Sequence, residues 1–166
     1  MERSKKVVFV SHCLLNQNTR SVGKSSYPGT VRELISMLSE AGIGIIQLPC
    51  PEIEFNSGLH RKNQVKKLSS SYKNACKKLS SNILKQIETY MAKKYKVIGI
   101  IGVELSNTCG VHQIKSGNRS VPGKGVLIQE LEEQMHKKNY QVPIIGIDLN
   151  NVYSSVEKIH QLLKYY

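Results

Sequence analysis

The sequence predicts an α/β fold built on a doubly wound parallel sheet of at least four strands, and three observations carry that expectation. Four short, near-continuous apolar runs are separated by segments whose apolar residues recur at helical spacing. The two kinds of segment alternate along the whole chain. Its 166 residues, 40% of them hydrophobic, supply one core and suit a single domain spanning 1–166 better than two.

The first run is Val7-Val8-Phe9-Val10, and the others lie at Ile43–Leu48, Val97–Val103 and Val142–Ile147. Between them, helical spacing relates Val31, Leu34, Ile35 and Leu38, then Leu79, Ile83, Leu84, Ile87 and Met91, then Val126, Leu127, Leu131 and Met135. A last helix carries Val152, Val156, Ile159 and Leu162. The interval from Gln64 to Lys94 is long for one helix, and Ser80-Ser81-Asn82 is a place for it to divide in two. Strands apolar throughout are covered on both faces, and parallel neighbours need right-handed crossovers. The arrangement expected is therefore flavodoxin- or Rossmann-like.

Lys and Arg number 24 against 12 Asp and Glu, a net charge of +12. With only 6% aromatic residues and no Trp, the chain lacks material for an aromatic cage or a base-stacking platform. The N-terminus, Met1 to Lys6 before a short apolar run, does not read as a secretory signal, and no stretch reads as a membrane span. A cytoplasmic protein with reduced thiols is expected.

Cys13, Cys50, Cys76 and Cys109 are separated by 37, 26 and 33 residues, without the close ligand pairs of zinc fingers and ribbons. Three of them follow predicted strands, in Ser11-His12-Cys13, Leu48-Pro49-Cys50-Pro51-Glu52 and Ser106-Asn107-Thr108-Cys109-Gly110. The carboxyl ends of parallel strands share one edge, where ligands bind, so these thiols are expected to converge. Cys76 falls on the apolar side of a helical pattern and reads as core filler. Three convergent thiolates repel one another unless a positive partner joins them, and the residues leave three partners open. Zinc can take three thiolates and a histidine, His12 or His112. An iron–sulfur cluster held by three cysteines keeps one iron open. A single nucleophilic cysteine with a histidine base is the third reading.

Ser11-His12-Cys13-Leu14-Leu15, Cys50-Pro51-Glu52 and Ser106-Asn107-Thr108-Cys109-Gly110, in this order at successive strand ends, resemble the 2-thiouracil desulfurase family. The resemblance spans roughly residues 7 to 148 and implies a [4Fe-4S] cluster held by Cys13, Cys50 and Cys109, its open iron taking sulfur from a thiolated base. It implies a non-redox desulfidation in which water supplies oxygen and sulfide leaves, assisted by Glu52 and Ser106. Chemically, a thiocarbonyl carbon activated through its sulfur needs a general base to deliver water, and Glu52 is the carboxylate at hand. The chain departs from the family where Cys-Leu-Leu-Gly becomes Cys-Leu-Leu-Asn16, where Thr19 replaces a further cysteine, where Ser-Pro-Ser-Cys-Gly becomes Ser-Asn-Thr-Cys-Gly, and at Gly58-Leu59-His60-Arg61. The altered positions are expected to line the pocket, so Asn16 joins Arg20 and His12 as candidate substrate-binding residues.

Gly23-Lys24-Ser25 fails as a phosphate loop because Asn18 stands where the first glycine belongs. The glycine-rich segment Ser116–Gly125 precedes a helix, so its amides are candidates to face an anion or wall the pocket. From Arg61 to Lys96 eleven Lys or Arg stand against Glu88 alone, so a thiolated RNA is a candidate substrate beside the free base.

Overall fold

A computed structural model describes residues 1–55, 69–163 and 165. The elements are β1 (Lys6–Ser11), α1 (His12–Leu15), α2 (Arg32–Glu40), β2 (Gly44–Leu48), α3 (Pro51–Phe55), α4 (Ser70–Ala92), β3 (Lys96–Val103), β4 (Gln113–Ser116), β5 (Arg119–Pro122), α5 (Val126–Lys137), β6 (Ile144–Ile147) and α6 (Val152–Leu163). The four predicted strands form one parallel sheet in the order β2-β1-β3-β6. The doubly wound α/β expectation is met.

Helices cover both faces. One buried cluster joins Phe9, Tyr72, Ile83, Ile87, Leu127 and Leu131, so α4 and α5 lie on that side. The other joins Val10, Leu34, Leu38, Ile98 and Ile159, which places α2 and α6 opposite. Alternation alone would point Ile98 and Ile100 to the same face. Between Val7 and Val8 the β1–β3 register skips Ile98, and this bulge reverses the parity so that Ile98 and Ile100 serve different cores. Each fully buried Leu or Ile contributes on the order of 2 kcal/mol from removed apolar surface.

Helix α4 is continuous through Ser80-Ser81-Asn82, against the expected division. The hydroxyls of Ser80 and Ser81 donate back to the carbonyls of Cys76 and Lys77, at 2.8 and 3.1 Å, and Ser81 also reaches Gln134 Oε1 on α5. Cys76 is fully buried among the α4 and α5 side chains, as expected of filler. The segment Ser116–Gly125 is not an open loop. It contributes most of the antiparallel β4–β5 hairpin, turned at Gly117-Asn118 with Gly117 at φ +59°. No helix among the described residues is long and apolar enough to cross a membrane. Gly58–Arg61 and the first part of the basic run, 61–68, lie outside the described residues.

Candidate functional site

The chain winds from β1 to β2, then crosses back over β1 to β3, so the direction of winding reverses between β1 and β3. Ligand crevices of open α/β sheets form at the carboxyl ends of the strands flanking such a reversal. Cys13 follows β1, Cys109 follows β3 and Cys50 follows β2 beside β1, so all three lie on neighbouring loops of this edge.

Each loop is built differently. Cys13 lies on the single turn α1, and fully buried Gln17 fixes it by donating from Nε2 to the Cys13 carbonyl at 2.6 Å while its Oε1 accepts from Ser26 N–H. Cys50 stands immediately before α3, where its carbonyl accepts the N–H groups of Ile53 and Glu54, and Pro51 opens the helix at the position that needs no N–H. The Cys109 loop is tied to the sheet by Val103 N–H donating to the Cys109 carbonyl at 2.9 Å. Ser106 Oγ accepts from Thr108 N–H at 3.2 Å and from Cys109 N–H at 3.0 Å. The first amides of α5 complete the brace: Val126 and Leu127 donate to the carbonyls of Asn107 and Thr108. Helix N-termini need such partners. Within Ser116–Gly125 itself, Gly123 and Gly125 N–H donate to the carbonyls of His112 and Gly110, so these two amides are engaged within the fold rather than facing an anion.

Glu104 is a further brace that the sequence reading missed. Its Oε2 accepts N–H groups from Val111, His112 and Gln113, and Oε1 lies 2.8 Å from His112 Nδ1. Burial alone would raise the Glu104 carboxyl, but the hydrogen bonds from His112, Gln113 and Val111 together pull it below its ordinary value. Exposed His112 is thus engaged at the outer end of the loop.

The three thiols act on one another electrostatically. Burial pushes the Cys13 thiol up to about 11, Arg20 opposes the rise, and Cys50 and Glu52 add to it. Cys109 lies well above its ordinary value, through burial first and then through Cys13 and Cys50. The hydroxyl of buried Ser11 makes no hydrogen bond of ordinary geometry, yet it lies close enough to Cys109 to favour the thiolate. Cys13, Cys50 and Cys109, once ionised, and the under-used Ser11 hydroxyl are the donors this edge could offer a cationic group. Among the described residues, no group of three or more His, Cys, Asp or Glu side chains is arranged to hold a metal ion.

Glu52 Oε1 accepts from Thr108 Oγ1 at 2.8 Å, and its charge acts on both Cys13 and Cys109. Arg20 faces Cys13 while its Nε donates to the Lys24 carbonyl at 2.8 Å. Half-buried His12 has its pKa lowered by burial, with Glu54 of α3 opposing. Asn16 uses its side chain locally, Oδ1 accepting from Asn18 N–H and Nδ2 in a short turn. Both acceptor positions of the Ser106 hydroxyl are occupied by backbone N–H groups, so its remaining capacity is to donate. A separate cavity of about 360 Å³ opens between α5 and β6, lined by Ile128, Met135, Tyr140 and Ile144 among others, and contains none of the cysteines.

The fold is similar to that of a solved [4Fe-4S]-dependent thiouracil desulfidase, TudS, with a TM-score of 0.55 at 16% identity over 94% of this chain and 99% of that one. No protein-family model matches the chain. Over 130 residues, 77% of this chain and 76% of the relative, it is 34% identical to the uncharacterized protein MJ0003 of Methanocaldococcus jannaschii. The chain belongs to the family of that Methanocaldococcus jannaschii protein.

Proposed function

We propose that this chain is an iron–sulfur-dependent desulfidase, a single cytoplasmic α/β domain that removes sulfur from a thiolated pyrimidine or similar thiocarbonyl compound. The carrying observation is that Cys13, Cys50 and Cys109 follow the carboxyl ends of three adjacent strands at the winding reversal, with Glu52 and Arg20 on the same loops. The likeness in fold to a [4Fe-4S]-dependent thiouracil desulfidase supports the reading. In it, the three cysteines hold a [4Fe-4S] cluster, which when bound supplies an open Lewis-acidic iron with affinity for sulfur.

The chain's own residues supply the rest. Glu52 takes a proton from the water that attacks the thiocarbonyl carbon, carbon–oxygen bond formation accompanies carbon–sulfur cleavage, and sulfide leaves without net redox change. Ser106, restricted to donating, hydrogen-bonds a ring oxygen or nitrogen of the substrate. Arg20 balances negative charge beside Cys13. His12 and Asn16, on the Cys13 loop, bear on substrate choice in this reading. A tri-thiolate zinc protein and a non-enzymatic metal- or sulfur-binding module are the alternatives, and a colourless protein with one zinc per chain would identify the first.

Exposed Lys73, Lys77, Lys78 and Lys85 on α4 support a thiolated RNA as a larger form of the same substrate. Binding through these lysines should weaken steeply with added salt, and a salt-independent affinity would remove RNA from the proposal. The activity is tested by incubating anaerobically prepared protein with 2-thiouracil and measuring sulfide. Repeated turnover is expected, with Glu52→Ala keeping iron but losing at least about a hundredfold in rate. Release of a single equivalent of sulfur would identify a carrier instead.

A further inference from the structure

Tyr72 is fully buried near the start of α4, and its hydroxyl oxygen lies 2.8 Å from Thr108 Oγ1. Thr108, itself buried, donates its one hydroxyl proton to Glu52 Oε1 at 2.8 Å. A hydroxyl has a single proton, so Thr108 can meet Tyr72 only as acceptor. The chain therefore has a fixed polarity, from the Tyr72 O–H through Thr108 to the Glu52 carboxylate. Burial raises the Tyr72 phenol far above its ordinary value, which keeps the donor end protonated.

Tyr72 also grips α3 a second time. Its ring packs edge-on against Phe55, with centroids 5.5 Å apart, and Phe55 lies three residues beyond Glu52 on that helix. The ring thus fixes the body of α3 and the hydroxyl, through Thr108, fixes the carboxylate. Thr108 precedes Cys109 and Glu52 lies two residues after Cys50, so one hydrogen-bond chain ties two cysteine loops to the core.

We propose that Tyr72 and Thr108 are positioning residues that orient the Glu52 carboxylate at the three-cysteine edge through this one-way hydrogen-bond chain. Its catalytic consequence rests on the desulfidase reading above, whereas the orientation itself does not. Donors in series strengthen each other, so removing the distant hydroxyl alters Glu52 without touching it.

The test uses the full chain, before and after loading with iron and sulfide. In the unloaded chain, the 13C resonance of the Glu52 carboxyl should move in Thr108→Val and, by less, in Tyr72→Phe, which keeps the ring contact with Phe55. Thr108→Ser should restore it. In the loaded protein, Thr108→Val should lower turnover of 2-thiouracil about tenfold and Tyr72→Phe about threefold, with KM and iron content within twofold of wild type. The double variant should be no slower than Thr108→Val alone, because the two hydroxyls act in series. An unmoved Glu52 resonance in Tyr72→Phe, failure of Thr108→Ser to rescue, or a loss of iron in step with turnover would overturn the proposal. A wild-type protein with no turnover would refute the desulfidase reading, and the resonance would still decide the orientation.

Discussion

The loops carrying Cys13 and Cys109 do the same geometric job by different means. The Cys109 loop is held by backbone: its carbonyls accept from β3 and from the first amides of α5, and Glu104 gathers three N–H groups at its far side. Glycines make that closeness achievable. A Cβ at Gly102 would overlap the Cys109 carbonyl oxygen, and one at Gly125 would overlap the Thr108 carbonyl. The Cys13 loop has backbone ties too, Val31 N–H to the Leu14 carbonyl and Gln17 N–H to the Gly29 carbonyl, but at the cysteine itself it adds one buried side chain, Gln17, bonded to the Cys13 carbonyl and to Ser26 N–H. Backbone bracing resists most side-chain changes but fails when a Cβ is inserted, whereas the part of the Cys13 brace that Gln17 supplies can be removed at one residue.

The largest effect should come from Gly125→Val, which forces two backbones apart and should cost about 3 kcal/mol or more, lowering the thermal midpoint by roughly 6–12 °C. An unchanged midpoint in a melting experiment would show that the Cys109 loop is not tightly docked. Gln17→Leu should follow at about 2 kcal/mol, since it keeps the volume and leaves the Cys13 carbonyl and Ser26 N–H without their partner. Alkylation of Cys13 should accelerate in that variant while Cys109 is unaffected, and equal acceleration at both would contradict independent bracing.

Glu104→Gln tests the Cys109 brace through pH. The folded Glu104 pKa is lowered, so the stability it contributes is fully present above the unfolded carboxyl value, about 4.3, and is lost as pH falls through the folded value. At neutral pH the variant should be roughly 2 kcal/mol less stable. Denaturation curves for wild type and variant should approach one another in acid, and a pH-independent gap would refute the carboxylate's role. The smallest effect is expected for Cys76→Ala, buried in the core, at about 1 kcal/mol with no change in bound iron.

Much of this frame was legible in the residues. The four apolar runs identified the parallel sheet, and their ends placed Cys13, Cys50 and Cys109 on one edge because parallel strands all finish together. The β4–β5 hairpin escaped notice because Gln113–Ser116 and Arg119–Pro122 are four residues each and mostly exposed, with only Ile114 and Val121 as apolar marks. Ser80-Ser81-Asn82 misled because serines that break an isolated helix can bond back to the preceding turn when a neighbouring helix covers them. The chain linking Glu52, Thr108 and Tyr72 joins residues 56 and 36 positions apart, and no local periodicity encodes such a contact. Thr108 stood inside a motif already singled out, but only the fold revealed its two partners.

Iron and acid-labile sulfide per chain, measured on anaerobically prepared wild type and on each single Cys→Ala variant, decide whether Cys13, Cys50 and Cys109 hold a cluster together. About four of each are expected in wild type and in Cys76→Ala, with most of both lost in Cys13→Ala, Cys50→Ala and Cys109→Ala. Full retention of iron and sulfide in any of those last three variants, or their loss in Cys76→Ala alone, would contradict that ligand set.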